Sequence, residues 1–510
     1  MNRDGNKTSI WQASVNNYVP KNPWNKSQVY DVLIVGGGIT GLTTALVLQE
    51  AGKKCILAEA HNLGFGTSGG TTAHLNTILD TPYYQVIKDF SEKDATHLAM
   101  GAREGIDLVE GLVTKYNIDC DFEYKSAFLF AETDEEVNEL ENIKDGNEQV
   151  HVLSEWSETI PVPVPFKRAL KVDFQAQLHA SKYLAGLAKI FEDAGGVILQ
   201  HCLVSKMTEE ENGVTADTCL GIIKAGAAVY ATHLPPGINI FSFRCAPYRS
   251  YAMAFTLKSG AYPEALAYDL KDPYHYYRTH TVDGQSYVIA GGGDHKTGHN
   301  DNTEHSFTEL EAYMRRHFEI DEISYKWSSQ YYEPADGLPY IGLMPGHERM
   351  YTATGYSGNG FTLGSLAAKI ICSHITGNQT PYDELFDPSR IKMVAGFANF
   401  VKENADVISQ FISKRLSHAK LTSLAGLAPG EATVAEWEGQ KVALYKDDNG
   451  HLYALDPVCK HAKCIVGWNT AEKTWDCPCH GARYAPNGDL LTGPAQSGLT
   501  QIKWEDIEGD

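Results

Sequence analysis

The stretch Val32-Leu33-Ile34-Val35-Gly36-Gly37-Gly38-Ile39-Thr40-Gly41 decides how the first half of the chain folds. Four consecutive apolar residues predict a strand buried on both faces, and Ile39, Leu42 and Leu46 then repeat at helical spacing as far as Gly52. Cys55-Ile56-Leu57 predicts the next strand, which makes a βαβ start. Gly36, Gly38 and Gly41 fit G-x-G-x-x-G: the first permits the tight turn, the second a close backbone approach to a pyrophosphate, the third close helix–strand packing. The helix N-terminus offers N–H groups and the positive end of its dipole to phosphates. Glu59, at the end of the second strand, is placed to accept ribose hydroxyls and would repel a 2′-phosphate. A Rossmann-type α/β domain binding NAD or FAD is therefore expected, and NADP is disfavoured.

Outward from this unit, residues 1–29 form a polar leader without periodicity, from which no function is read, and mixed α/β patterning continues to about residue 385. Tyr248, Tyr251, Phe255, Tyr274, Tyr276, Tyr277 and Tyr287 sit in period-2 stretches that predict an antiparallel sheet able to wall a pocket. Residues 386–420 read as a helical connector, and after Pro429-Gly430 closely spaced turns predict a small all-β domain over 421–510. The formal charge of −21 (43 Lys+Arg against 64 Asp+Glu) repels phosphate backbones, so no nucleic acid partner is expected. No uninterrupted apolar run reaches the ~18 residues of a spanning helix, and no signal-peptide pattern opens the chain. A cytoplasmic protein that is not integral to a membrane is the resulting expectation.

Asp336-Gly337-Leu338-Pro339-Tyr340-Ile341-Gly342 and Tyr351-Thr352-Ala353-Thr354-Gly355-Tyr356-Ser357-Gly358-Asn359-Gly360-Phe361-Thr362-Leu363-Gly364 resemble the late flavin-contacting segment of the D-amino-acid-oxidase-like (DAO) family of FAD-dependent oxidoreductases. The resemblance covers most of 30–385. It implies FAD-binding parts at about 30–90, 150–240 and 330–385 and substrate parts at about 91–149 and 241–329. It also implies flavin contacts from Asp336, Gly355, Gly358, Gly360, Phe361 and Thr362. Gly66-Thr67-Ser68-Gly69-Gly70-Thr71-Thr72-Ala73-His74 stands where the family contacts flavin, which adds Thr67, Ser68, Thr71, Thr72 and His74. Gly70 to His74 also matches the G-x-T-x-H pattern whose histidine bonds to flavin in some amine-oxidising relatives; a non-covalent pocket histidine is the reading adopted here.

Four of the ten cysteines fall between residues 459 and 479. Cys459-Lys460-His461 and Cys477-Pro478-Cys479-His480 give C-x-H and C-x-x-H, which resembles the Rieske [2Fe-2S] signature. In such a centre two thiolates hold one iron and two imidazoles the other, which raises the potential to between about −150 and +300 mV. The resemblance implies that Cys459 and Cys477 bind one iron and His461 and His480 the other, and that Cys464 and Cys479 stand where high-potential members carry a disulfide. Such a bridge would be unusual in a reducing cytosol. Zinc-finger spacing groups cysteines first and histidines second, unlike this order. Ala482 replaces the serine that donates to a bridging sulfide in high-potential members, Tyr484 keeps the tyrosine, and Lys463 replaces a usual glycine.

Both signatures together resemble bacterial DAO-like flavoproteins with a fused Rieske domain. The resemblance implies a dehydrogenase that oxidises a small organic substrate, an amine or amino-acid derivative acting through its CH–NH bond. Single electrons would pass through the cluster and its exposed histidine edge to an external one-electron acceptor, a protein or a quinone. A non-catalytic redox relay or sensor, and a reductase working in reverse, are the alternatives. Tyr331-Tyr332-Glu333-Pro334 lacks the arginine of the G-x-R-P segment that clamps a substrate carboxylate in amino-acid-oxidising members. His295, His275 and Arg278 are the candidate catalytic residues, a histidine being suited to removing an ammonium proton.

Overall fold

The computed structural model describes residues 3–391, 406, 427–437 and 440–502. Most of the expected connector at 386–420 lies outside the described residues. Val29–Val35 pairs in parallel with Cys55–Ala58 on one side and Gly221–Tyr230 on the other, setting Ile34 opposite Leu57 and Val229. The sheet runs Tyr340–Leu343, Met350–Thr354, Gly221–Tyr230, Val29–Val35, Cys55–Ala58, Val197–Leu199. Val32, Leu33 and Ile34 are wholly buried, as a parallel strand covered on both faces requires. The glycine turn leads into the helix Ile39–Glu50, which packs on the helix Gly360–Ile375. A Cβ on Gly41 would stand 1.9 Å from the Gly36 carbonyl oxygen, so only glycine permits this helix–strand approach.

The second sheet has nine strands in the order Ile320–Pro334, Cys245–Leu257, Gln285–Lys296, Tyr276–Val282, Leu266–Asp269, Glu123–Ala131, Arg168–Gln177, His74–Leu75, with Glu155–Ser157 beside Arg168–Gln177. It is antiparallel except where Leu266–Asp269 meets Glu123–Ala131. Arg168–Gln177 lies within the expected FAD-binding part 150–240, yet it extends this second sheet, so residue 150 does not mark a change of sheet.

The C-terminal domain has two small antiparallel sheets: Ala432–Trp437, Gln440–Lys446 and Leu452–Leu455; and Gly467–Asn469, Thr474–Asp476, Arg483–Tyr484 and Leu490–Thr492. It is fastened to the rest of the chain by buried charges, and the leader takes part. Asp4 pairs with Arg483 at 2.8 Å and with Arg3 at 2.7 Å; Arg3 reaches Glu472 at 3.3 Å. Arg483 also pairs with Asp476 at 3.0 Å, and Arg249 stands 3.7 Å from Asp476. Burial alone would raise the pKa of Asp4, Glu472 and Asp476, but Arg3, Arg249 and Arg483 around Asp4 and Glu472, and Arg483 and Arg249 with neighbouring hydrogen bonds around Asp476, hold all three carboxyls below their ordinary values. Such a network adds little net stability against an apolar interface, but removing one member strands the others. The leader is also less irregular than its sequence reads: Ile10–Ala13 is a short helix, and fully buried Trp11 donates its indole N–H to the Thr71 carbonyl at 2.6 Å.

Candidate functional site

A cavity of about 1040 Å³ runs from Glu59, over the glycine turn, to the second sheet, a size at the upper end of the ~300–1,000 Å³ of ligand pockets. At its first end Gly36, Gly38 and Glu59 line the wall. The Glu59 carboxylate accepts from the Gly37 N–H at 2.7 Å and the His61 N–H at 2.8 Å, and burial raises its pKa despite these bonds. Gly36 has φ +110°, and a Cβ there would press within 2.5 Å of the Ala231 carbonyl oxygen. A cradle of bare backbone facing a long cavity suits a dinucleotide. Thr67, Ser68, Thr71, Thr72 and His74 line the same space, and so do Gly358, Gly360 and Phe361. The Ser68 hydroxyl accepts from the Ile39 N–H at the helix start (3.0 Å).

Four expected cofactor residues stand back from the wall. Gly41 and Gly355 serve packing and a left-handed turn (φ +78° at Gly355), and the Thr362 hydroxyl accepts from the Asn76 N–H at 3.2 Å. Asp336 forms a two-pronged ion pair with Arg390 at 2.9 and 2.8 Å, which fixes the chain near residue 390. None of the four lines the cavity, where the family resemblance implies flavin contacts from Asp336, Gly355 and Thr362.

At the far end, Asp80, Asp294, Ser250, Tyr268, Tyr274, Tyr276 and Tyr331 line the cavity. His74 joins them: its Nδ1 is 2.7 Å from Tyr268 Oη, while its buried Nε2 has no protein partner. Burial, then Arg278, holds its pKa well below that of an ordinary histidine, so the ring is neutral. The three catalytic candidates do not reach this space. His295 spends Nε2 on Tyr251 Oη (2.8 Å) and Nδ1 on the Lys296 carbonyl (2.9 Å). His275 is bonded to Asp269 at 2.7 Å and stacked on Tyr313. Arg278 is buried, donating to the carbonyls of Thr72, Ala73 and Leu178. It holds the strand that carries His74, a positioning role in place of the contact with substrate expected of it.

The second centre lies in the C-terminal domain. Cys459 and Cys477 are buried free thiols, and Tyr484 Oη lies 3.1 Å from Cys459 Sγ. A hydrogen bond from Cys477, opposed by burial and aided by Tyr484, holds the Cys459 thiol below its ordinary value. The rings of His461 and His480 are 4.7 Å apart; both Nδ1 atoms, and Nε2 of His480, are buried without a partner. Two thiols hydrogen-bonded to each other and two imidazoles whose Nδ1 atoms have no partner suit a cluster with two ligands of each kind. Cys464, Cys477 and Cys479 also bring their sulfurs within 4.8 Å of one another, but Cys464 and Cys479 form a disulfide, so that trio keeps one thiol. Lys463 adopts φ +63°, the left-handed conformation for which a glycine is the usual choice.

This centre faces inward. His461 Nε2 is 3.2 Å from the Gly237 carbonyl, and the ring of His480 is 6.3 Å from that of Phe243. Tyr332 donates to the His480 carbonyl at 3.0 Å and Gln330 to the Gly481 carbonyl at 2.9 Å. His461 and His480 are 6% and 3% exposed, which overturns the expectation of an exposed histidine edge. Cavity and centre share a wall: Thr67 Oγ1 is 3.2 Å from His233 Nδ1, and His233 packs edge-on against Tyr332 at 4.8 Å. The C-terminal domain also closes the cavity, since Asp489–Thr492, Gly493, Ala495, Gln496 and Gly498 line it beside Glu59 and His61. The Leu491 carbonyl lies 3.1 Å from His61 Nε2, and the Gly237 N–H donates to the Pro494 carbonyl at 2.9 Å. Asp80, Arg3 and Asp4 escaped the sequence reading; Asp294, beside the Gly291-Gly292-Gly293 run, is a polar candidate of the sequence for which its neighbour His295 was preferred.

Among the described residues no helix is long and apolar enough to cross a membrane. Residues 31–374 match the family model described as FAD dependent oxidoreductase (DAO), and residues 418–503 match that of the Rieske [2Fe-2S] domain. The Bacillus subtilis (strain 168) protein named as a Rieske 2Fe-2S iron-sulfur protein, YhfW, is 30% identical over 475 residues, covering 92% of this chain and 93% of that one. Gamma-glutamylputrescine oxidoreductase of Escherichia coli (strain K12) is 26% identical over 395 residues, 74% of this chain and 90% of its own. Glycine oxidase from Geobacillus kaustophilus shares the fold, with a TM-score of 0.61 at 19% identity over 72% of this chain and 100% of its own. The DAO match alone spans more than half the sequence, and the chain belongs to the DAO family of FAD-dependent oxidoreductases, with a Rieske [2Fe-2S] domain at its C-terminal end.

Proposed function

We propose that this chain is a dehydrogenase that oxidises a small amine at its CH–NH bond and sends the electrons singly through the Rieske cluster to an external acceptor, a protein or a quinone. One observation carries this reading: His461 and His480 pack against the same wall, through Gly237 and Tyr332, that bounds the flavin cavity. A bound flavin supplies two-electron oxidation and the cluster one-electron transfer. The residues of the chain do the rest. Gly36, Gly38 and the N-terminus of Ile39–Glu50 receive the pyrophosphate, Glu59 the ribose, and Gly358 and Gly360 with their helix the ring system. Cys459 and Cys477 hold one iron, His461 and His480 the other, with Tyr484 donating to Cys459. Asp294, raised to about 6 by burial, accepts the proton that an ammonium must lose before oxidation, the task the sequence reading gave to His295.

The amine class is supported by the likeness to gamma-glutamylputrescine oxidoreductase and by the missing arginine at Glu333. The units are 30–385 for the flavoprotein, 386–420 for the connector and 421–510 for the Rieske domain, with residues 1–29 bridging the first and last. Six of the ten cysteines are neither bridged nor assigned to the cluster, which supports a cytoplasmic setting. Anaerobic titration with a panel of amines tests the reading. Flavin bleaching followed by the reduced-cluster electron paramagnetic resonance signal is expected; reduction only by protein donors overturns it and favours the relay.

A further inference from the structure

The end of the cavity on the second sheet has an unusual balance of charge. Asp80 presents its carboxylate to the cavity while Oδ2 accepts from the Gly358 N–H at 2.5 Å, and Tyr274 Oη lies 3.4 Å from Oδ1. Asp294 Oδ2 accepts from Tyr331 Oη at 2.8 Å, and its Oδ1 is buried with no partner. The two carboxylates sense each other electrostatically, and Tyr274 senses both. Tyrosine rings surround them, Tyr274 and Tyr276 being 5.9 Å apart. Glu139 and Asp272 add further acid to the cavity wall. No arginine lines the cavity among the described residues, and its one lysine, Lys271, is paired with Glu132 at 3.0 Å. The arginines that approach from behind are engaged elsewhere, Arg278 with backbone carbonyls and Arg249 in the buried charge network.

An enclosed carboxylate oxygen with no partner calls for a donor or a positive charge. Aromatic faces around it attract a cation further. A ligand carboxylate in the same place would meet two like charges and no guanidinium. We propose that this end of the cavity is an organic-cation site, with Asp80 and Asp294 as its counter-charges. It selects an amine carrying no carboxylate next to the reacting nitrogen and rejects α-amino acids. The proposal rests on the reading of the cavity as the flavin and substrate site, and it narrows the substrate from small amines at large to those without a carboxylate beside the reacting nitrogen.

The test uses the FAD-loaded full chain and two probes that it cannot oxidise, benzyltrimethylammonium and phenylacetate, each followed by the flavin difference spectrum. The cation is expected to bind at least about tenfold more tightly than the carboxylate, and Asp294→Asn to weaken it by about tenfold or more. Asp80→Asn is measured separately, with flavin content and thermal unfolding confirming an intact fold, because Asp80 also holds the Gly358 backbone. If that variant loses flavin, Tyr331→Phe, which removes a donor from Asp294 and leaves both charges in place, is expected to retain cation binding. Equal or tighter binding of phenylacetate, no response to either probe, or an undiminished cation affinity in Asp294→Asn overturns the proposal. Failure of the dehydrogenase reading looks different: the inert cation binds as expected, but no amine bleaches the flavin.

Discussion

All four candidate iron ligands come from residues 459–480, whereas the wall of the flavin cavity draws on residues from Asp4 to Gly498. The first centre is a local product of two loops, dense and almost without free space. The second is a large cavity that exists only once the leader, the flavoprotein sheets and the C-terminal domain have come together. The cluster should therefore tolerate damage to the cavity, while the cavity should not tolerate undocking of the cluster domain.

The largest effect that bears on this asymmetry comes from Cys477→Ser. It should abolish the cluster signal and the bound iron completely while the flavin stays in place; simultaneous loss of flavin would mean that the two centres are not separable. Next is Arg483→Ala, which takes from Asp476 its main partner and from Asp4 one of its two paired arginines. Stranding a buried charge should cost about 3–5 kcal/mol in denaturant unfolding of the C-terminal domain. FAD affinity should fall with it, because Asp489–Thr492 leave the cavity wall; an unchanged FAD dissociation constant in an undocked variant would break the comparison.

Gly41→Ala follows, since its methyl would stand 1.9 Å from the Gly36 oxygen. Overpacking of roughly 1–3 kcal/mol should weaken FAD about 10- to 100-fold and leave the cluster signal untouched. The pH response is of similar size. Asp294 is raised to about 6 mainly by burial, with Ser250 and Tyr331 opposing the shift and Asp80 adding to it; His275 works the other way. It is ionised above that pH and neutral below, so benzyltrimethylammonium binding should be flat at higher pH and decline by up to about tenfold per unit below it. A flat profile in the wild type would remove Asp294 as a counter-charge. The smallest change is Ala482→Ser, at a fully buried position next to Tyr484. A new donor worth ~1 kcal/mol more to the reduced cluster should raise its midpoint by ~40 mV, and an unchanged or lower midpoint refutes that account.

The glycine fingerprint and the C-x-H and C-x-x-H pairs were legible because their chemistry sits at fixed short spacings. The cation-facing end was not, and the misses are instructive. His295 was favoured over its neighbour Asp294, and His275 over Tyr274 and Tyr276, yet side chains alternate along a strand. His295 points to the other side, where Tyr251 occupies it, and His275, one residue ahead of the strand Tyr276–Val282, is held by Asp269. Period-2 patterning located the strands, but the face turned toward the cavity depends on sheet packing, which aromatic residues on both faces did not reveal. Asp80 and Gly358 are 278 residues apart, beyond any local pattern. The leader's polar composition likewise concealed Arg3 and Asp4, whose burial depends on partners in another domain.

The ion pair between Asp4 and Arg483 joins residues 479 positions apart. During synthesis Arg483 emerges 479 residues after Asp4, so this contact cannot guide early folding. The flavoprotein half must take shape with its leader still waiting, and the cavity acquires its last wall only after the Rieske domain has been made. Fastening Asp4 to that domain thus makes the finished cofactor site a record that the Rieske domain has been made.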